Sequence, residues 1–204
     1  MENKKQHWEN VFTTKAPNEV SWFQEYPKTS IEFLELFKLP LTANIIDIGG
    51  GDSNLVDTLL AKGYQNIWVL DISAAALERA KYRLGEKSGL VHWIVTDVTE
   101  FEPPVQFDFW HDRAAFHFLT SEEAINKYVA IAEEAISNEG YLVLGTFSEN
   151  GPEKCSGLRI QQYNEASMST RFEVAFNRIK CISEDHVTPF NTVQNFLFCS
   201  FRKK

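Results

Sequence analysis

The sequence has few cysteines and no long apolar run, and each absence excludes a class of protein. Its three cysteines, Cys155, Cys181 and Cys199, are far apart and fit neither a disulfide framework nor a zinc site. No stretch approaches the ~18 apolar residues of a membrane span. The polar, aromatic amino-terminal stretch lacks the apolar centre of a secretory signal. We therefore expect a soluble protein of the reducing cytoplasm, without membrane contact.

Positive charge is also scarce. Lys and Arg number 20 against 28 Asp and Glu, which gives a net charge of −8. Such a field repels a phosphate backbone, so we expect no nucleic acid partner. Internal repeats, low-complexity segments and linker-like composition are absent from the sequence as well. A chain of 204 residues suffices for one sizeable α/β core, and we predict a single domain over residues 1–204.

Short apolar runs alternate with segments of helical spacing from residue 44 onward. The runs predict strands at 44–48, 67–70, 91–95, 107–110 and 141–146. Ser30 and Ser73 are predicted helix caps, and Thr120 with Glu123 forms a capping-box pattern that starts another helix. Two further strands, 175–186 and 193–201, read as a hairpin. This order predicts a parallel sheet with helices on both faces and an antiparallel edge.

Three consecutive glycines follow the first predicted strand and precede a helix, in the segment Asp47-Ile48-Gly49-Gly50-Gly51-Asp52-Ser53. Glycine lets the backbone turn tightly and lie against a ligand, and helix-start amides can face an anionic group. Dinucleotide enzymes use G-x-G-x-x-G, but the sixth place here is Asn54, and Asp52 would bring negative charge near a pyrophosphate. Asp47 suits a cationic amino or sulfonium ligand better, so a nicotinamide oxidoreductase is the less favoured interpretation.

Acidic residues end the next two predicted strands. Asp71 lies 20 residues after Gly51, where a carboxylate can accept both hydroxyl protons of an adenosine ribose. Asp97 ends the third strand, where it could accept from an adenine amino group. With Asp47, they form a row along the carboxyl edge of the sheet, where open α/β sheets bind ligands. A single acid at a strand end can equally be a helix cap, so the prediction depends on the combination.

These residues resemble the class I S-adenosylmethionine (SAM)-dependent methyltransferases. The segment from Asp47 to Ser53 is similar to that family's E/D-x-G-x-G-x-G loop, with Ser53 in place of the last glycine. Asp71 matches the ribose-binding acid and Asp97 the adenine-binding acid. The resemblance covers roughly residues 42–146. It implies a Rossmann-like α/β fold with a seven-stranded, mostly parallel sheet and one antiparallel carboxyl-terminal strand. SAM would be the methyl donor and S-adenosylhomocysteine (SAH) the product.

The resemblance also implies a layout of the site. A helical lid at residues 1–41 precedes a SAM-binding core at 42–146, and a substrate-side loop with the hairpin occupies 147–204. The implied cofactor-binding residues are Asp47, Gly49, Gly50, Gly51, Ser53, Asp71, Ile72, Asp97, Val98 and His111. The lid and substrate-side residues are Trp8, Phe12, Trp22, Phe23 and Cys155. The aromatic rings would exclude water and face the sulfonium or simply pack on the sheet, and Cys155 could equally be a plain loop thiol.

The segment from Trp110 to Phe118 follows the fourth predicted strand, where the family places its substrate-facing groups. Arg113 could hold a substrate carboxylate in a bidentate pair, and His117 could act as a general base. Equally, Asp112 and Arg113 could form an internal ion pair, and His117 could be a packed aromatic. No cluster has metal-ligand spacing, so no metal is expected.

The predicted function is methyl transfer from SAM to a small-molecule acceptor. The alternative is a protein-lysine methyltransferase, because the tryptophan-containing lid resembles that of enzymes acting on elongation factors or citrate synthase. A non-catalytic SAM-binding protein is a third possibility. The sequence leaves the methyl acceptor and the oligomeric state open.

Overall fold

A computed structural model describes residues 2–204 as a seven-stranded sheet flanked by helices. The helices are α1 (Glu2–Thr14), α2 (Lys28–Phe37), α3 (Leu55–Ala61), α4 (Ala74–Leu84), α5 (Glu122–Ala135) and α6 (Glu165–Phe172). The strands are β1 (Asn44–Ile48), β2 (Asn66–Asp71), β3 (Val91–Val95), β4 (Phe107–Arg113), β5 (Ile136–Phe147), β6 (Lys154–Cys155), β7 (Leu158–Arg159), β8 (Phe176–Val187) and β9 (Val193–Lys203). Strands β6 and β7 form a separate small ribbon.

The main sheet has the strand order β3-β2-β1-β4-β5-β9-β8. Neighbours among the first five strands pair in parallel. Strand β9 pairs antiparallel with both β5 and β8, so it alone runs against the other described strands of this sheet. The predicted mostly parallel sheet with one antiparallel strand is therefore confirmed. The strand order reverses at β1, because β2 lies on one side of it and β4 on the other, and the connections that follow β1 and β4 leave a crevice at their carboxyl ends.

Both faces of the sheet are covered, and the strands are apolar on both sides for that reason. In β1, Ile46 and Ile48 pack in one core cluster, while Ile45 packs in the other. Helices α5 and α6 contribute to the first cluster, and α2, α3 and α4 to the second. The two apolar layers cover the sheet, and the parallel pairing of its first five strands brings their carboxyl ends to one edge.

Helix caps agree with the sequence at one position and differ at two. Ser73 caps α4, because its Oγ accepts from the amide of Ala76 over 3.2 Å. Helix α2 begins before Ser30, whose predicted role as a cap is wrong: its hydroxyl lies against His111 instead. Helix α5 is capped by Ser121, so the capping box of Thr120 and Glu123 is wrong by one residue.

The expectation that the cysteines form no disulfide is wrong. Cys181 of β8 and Cys199 of β9 are paired in register and joined by a disulfide, although 18 residues separate them. The hairpin brings them opposite each other, which their spacing in the sequence does not reveal. Cysteine usage therefore gives no argument about the compartment. Among the described residues, no helix has the length and apolar character to cross a membrane.

Candidate functional site

An open cleft with an empty volume of about 810 Å³ lies at the carboxyl ends of β1 to β4. Each of these strands contributes the residues that follow its last hydrogen bonds: Gly49 after β1, Ile72 after β2, Asp97 after β3 and Ala114 after β4. A second cavity of about 690 Å³ lies between the glycine segment and residues 17–30. The row of strand ends that the sequence predicts therefore does face a cavity.

The three glycines form a turn that no other residue fits without strain. Gly49 and Gly51 have φ angles of +63° and +48°, in the left-handed region that glycine adopts at least cost. A Cβ atom on Gly49 would lie 2.6 Å from Cβ of Ala115. After the turn, Oγ of Ser53 accepts from the amide of Leu55 at the start of α3. The turn thus brings bare backbone to the cleft wall.

Asp71 is buried at the floor of the cleft, at the end of β2. Its Oδ1 accepts from the amide of Ser73 over 2.8 Å. Desolvation raises the pKa of Asp71 to about 7. The nearby carboxylate of Asp47 raises this pKa further, whereas the hydrogen bond from Ser73 lowers it. A buried acid that borders a cleft can accept from the hydroxyl groups of a ligand.

Asp97 and its neighbours line the same cleft at the end of β3. Oδ1 of Asp97 accepts from the amide and the hydroxyl of Thr99, at 2.9 and 2.8 Å. Asp97 thus caps a short helical turn and also borders the cleft, beside Thr96 and Val98. Asp97 is therefore both a helix cap and a candidate ligand-binding acid.

Asp47 is held by a buried hydrogen-bonded chain that the sequence does not reveal. Nδ1 of His111 lies 2.7 Å from Oδ1 of Asp47, and Nε2 lies 2.8 Å from Oγ of Ser30. All three side chains are buried and border the second cavity. Since a carboxylate only accepts, the Nδ1–H group of His111 donates to Asp47. His111 belongs to β4, which extends past the predicted end at residue 110, so it faces Asp47 across the β1–β4 pair.

An aromatic lid covers the cleft. The ring of Trp8 lies 6.2 Å from that of Phe12, 5.7 Å from that of Trp22 and 5.0 Å from that of Phe118. All four border the cleft, and Phe23 borders the second cavity together with Phe12 and Trp22. Edge-to-face contacts of this kind stabilise the arrangement by about 1 kcal/mol per pair. The lid residues named from the sequence are brought together, and Phe118 joins them.

Glu9 fastens α1 to the start of α4, a contact that sequence analysis missed. Its Oε1 accepts from the amide of Ala74 over 2.7 Å, and its Oε2 accepts from the amide of Ala75 and the hydroxyl of Ser73 at 3.1 Å each. Burial opposes ionisation of Glu9, but these hydrogen bonds outweigh it and lower its pKa. A carboxylate at a helix amino terminus is favourable. The contact joins two segments that are 64 or more residues apart, so no spacing signals it.

Asp112 and Arg113 do not form the internal ion pair that the sequence allows. Asp112 accepts from the hydroxyl of Tyr128 over 2.7 Å and from the amides of Ala115 and Phe116. Desolvation, partly offset by the Tyr128 hydroxyl, raises the pKa of Asp112 to about 6. Asp112 therefore supports the turn after β4, and Arg113 is left to other partners.

His117 is fully buried and absent from the residues that border either cavity. Its Nδ1 accepts from the amide of Phe147 over 3.3 Å. Desolvation, together with the charge of Arg113, lowers its pKa to about 3. It is therefore a neutral, packed ring at physiological pH, and this placement does not support a role as general base.

Cys155 borders the cleft and is otherwise buried. Desolvation raises the pKa of its thiol to about 12, so it is a thiol and not a thiolate at neutral pH. Among the described residues, no three His, Cys, Asp or Glu side chains cluster in a way that could hold a metal ion.

Comparison with known proteins gives a consistent result. The sequence profile of the methyltransferase domain matches residues 46–142. EEF1A lysine methyltransferase 2 of Mus musculus is 27% identical over 161 residues, which cover 69% of this chain and 64% of that protein. The chain spans less than two thirds of the length of the curated relatives it matches.

Solved structures share the fold. The N-methyltransferase NodS of Bradyrhizobium japonicum with SAH superposes with a TM-score of 0.72 at 17% identity, over 98% of each chain. The 1,6-didemethyltoxoflavin-N1-methyltransferase of Burkholderia thailandensis superposes with a TM-score of 0.68 at 18% identity, over 99% of this chain and 84% of the other. At such identities the likeness concerns the fold alone.

Proposed function

We propose that this chain, whose residues 46–142 match a methyltransferase domain, is a class I SAM-dependent methyltransferase that transfers a methyl group from SAM to a small-molecule acceptor. The observation that carries the proposal is the roof over the cleft. The ring of Trp8 contacts the rings of Trp22 and Phe118, and all three border the cleft, so they narrow the space in which an acceptor meets the cofactor. A compact molecule fits under such a roof more readily than a folded protein surface.

The residues of the cleft fit an adenosyl group. A Cβ atom at Gly51 would lie 3.0 Å from Oδ2 of Asp71 and 3.3 Å from the ring of Phe12, so only glycine leaves room there for a ligand beside the acid. We assign Asp71 to the ribose hydroxyls and Asp97 to the adenine amino group, with Ile72 and Val98 as apolar neighbours of the base. Gly49 and Gly50 give backbone access to the amino-acid part of the cofactor, and Ser53 supports the turn that they form.

Further side chains orient these groups and exclude water. His111 fixes the rotamer of Asp47 beside the glycine turn. Trp8, Phe12, Trp22 and Phe23 close the cavities, and Cys155 borders the acceptor end. SAM supplies an electrophilic methyl group on a sulfonium, so the protein's main task is to align the acceptor with this group and to exclude water. Alignment of this kind can contribute roughly 7–11 kcal/mol.

A protein-lysine acceptor is the second candidate. It is favoured by one observation, the match to a mouse lysine methyltransferase over 69% of this chain. The net charge of −8 also suits a basic target.

An experiment with radiolabelled SAM separates the two candidates. The protein is incubated with the label and a cell lysate, and the products are fractionated by size. Label in the low-mass fraction supports the small-molecule acceptor, whereas label only in macromolecules refutes it. The Asp71→Ala variant, which we expect to bind SAM poorly, controls for other enzymes in the lysate. SAM binding without any labelled product would identify a non-catalytic SAM-binding protein.

A further inference from the structure

Arg113 is a shielded cation whose best anion-binding edge has no protein partner. Its Nη1 donates to the carbonyl oxygen of Trp22 over 2.8 Å. Its Nε and Nη2 are buried and have no hydrogen-bond partner among the described residues. The Nε–H and Nη2–H bonds lie on one edge of the planar guanidinium and point the same way, which matches the two oxygens of a carboxylate. The edge that suits an oxyanion best is therefore buried without a hydrogen-bond partner.

The charge of Arg113 also lacks a direct ion-pair partner. None of the ion pairs within 4.0 Å among the described residues includes Arg113. Glu184 is the acid that acts on it most strongly, yet Oε2 of Glu184 is itself buried without a partner. Desolvation lowers the pKa of Arg113 only to about 10, so the guanidinium stays charged at neutral pH. A shielded charge that no carboxylate contacts is unfavourable, and an incoming anion would relieve this.

Arg113 lies at the junction of the two cavities. With Phe12, Trp22 and Gly49, it is one of the residues that border both. Its guanidinium carbon lies 4.7 Å from the ring centroid of Phe196 in β9, which positions the group by a cation–π contact. Phe196 lies outside the matched segment 46–142 and belongs to the same core cluster as Cys155. Arg113 thus borders both cavities and is held by a residue from the carboxyl-terminal part of the chain.

We propose that Arg113 binds a carboxylate carried by the methyl acceptor, so that the acceptors are small organic acids with an apolar or aromatic body. This inference rests on the proposed function, because it names the substrate class of that reaction. The rings of Trp8, Trp22 and Phe118 would contact the body of the acid. The carboxylate stays on Arg113 throughout, while a lone pair of the acceptor forms the new bond to carbon and the carbon–sulfur electron pair remains on sulfur.

Benzoate and its neutral isostere benzamide are probes for this site. Their binding to the protein saturated with SAH is measured by calorimetry for the wild type and for the Arg113→Gln and Glu184→Gln variants. We expect benzoate to bind the wild type about tenfold more tightly than benzamide, the increment of a charge-assisted hydrogen bond. Arg113→Gln should abolish this preference. Glu184→Gln, which removes the nearest competing carboxylate, should keep or increase it.

Three outcomes would overturn the proposal. Benzoate and benzamide could bind the wild type equally, or Arg113→Gln could keep the preference for benzoate. Arg113→Gln could also weaken SAH while leaving 5′-methylthioadenosine unchanged, which would assign Arg113 to the carboxylate of the cofactor. Unchanged methylthioadenosine binding also verifies that the variant is folded. Failure of the proposed function is recognised separately, by the absence of labelled small molecules in the lysate experiment.

Discussion

Replacing Asp71 by asparagine should stabilise the free protein and weaken its cofactor binding at the same time. The carboxyl group is buried at the floor of the cleft, and desolvation raises its pKa from 3.8 to about 7, with the carboxylates of Asp47 and Glu9 acting in the same direction. The unfolded chain exposes the same group to water at its ordinary pKa. The folded state therefore carries an unfavourable charge whenever Asp71 is ionised.

The sign and size of the effect follow from proton linkage. Because the pKa is higher in the folded state, that state binds more protons between pH 3.8 and about 7. The free energy of unfolding then falls as pH rises through this window. Each pKa unit corresponds to ~1.4 kcal/mol, so ionised Asp71 destabilises the folded state by about 4 kcal/mol above pH 7. Asparagine removes the charge but gives up one acceptor, a loss of about 1 kcal/mol.

We therefore expect Asp71→Asn to be about 2–3 kcal/mol more stable than the wild type near pH 8 and no more stable near pH 4. Urea unfolding without ligand at several pH values measures this difference. Titration calorimetry near pH 8 should show that SAH binds about 10–100-fold more weakly, since the ribose hydroxyls lose a charged acceptor.

Asp97→Asn is the matched control, because Asp97 is less buried and its carboxylate already accepts from Thr99. This variant should show no gain in stability near pH 8, because the Asp97 carboxylate is not fully buried. An Asp71→Asn variant that is less stable than the wild type near pH 8 would refute the reasoning on burial. Unchanged SAH affinity would refute the assignment of Asp71 to the ribose.

Three further perturbations test other parts of the site. Gly49→Ala should lower the free energy of unfolding by about 1–3 kcal/mol because of its positive φ and its contact with Ala115, and a loss below 0.5 kcal/mol in urea unfolding would contradict this. Glu9→Gln should weaken the contact between α1 and the start of α4 and so speed SAH dissociation several-fold in stopped-flow experiments. An unchanged dissociation rate would mean that this contact does not hold the lid in place. His117→Gln should leave the shape of the pH–rate profile between pH 6 and pH 8 unchanged, since His117 is already neutral in this range. If the variant lost a titration near neutrality, His117 would again be a candidate general base.

The parts of the fold that depend on local signals could be predicted from the sequence. Gly49 and Gly51 take positive φ angles that few other residues adopt, and Ser73 caps its own helix, so both can be recognised from a few neighbours. The hairpin of β8 and β9 is predicted by two strand-like segments around a short turn. The prediction that Ser30 caps α2 is wrong because a hydroxyl near a helix start can cap the helix or bind elsewhere, and only the fold brings His111 within reach of it.

The contacts that complete the site are long-range and could not be predicted. Glu9 reaches α4, and Arg113 reaches the carbonyl of Trp22, across 64 and 91 residues. Cys181 and Cys199 become neighbours only through strand register. His117 is buried and absent from the residues that border the cavities, which agrees with the packed ring that the sequence also allows, and its side-chain type alone does not distinguish this from a role as base.

The position of α1 has a practical consequence for preparing the protein. Lys4 borders the cleft and donates to the carbonyl oxygen of Phe118, so residues fused ahead of α1 would emerge beside the entrance. Strand β9 runs away from the cleft. Its residue Phe196 pairs with Phe147 at the carboxyl end of β5, near the cleft, whereas Arg202 pairs with Tyr141, farther from the cleft. A purification tag placed after Lys204 would leave ligand entry free, whereas an amino-terminal tag should be cleaved before affinities are measured.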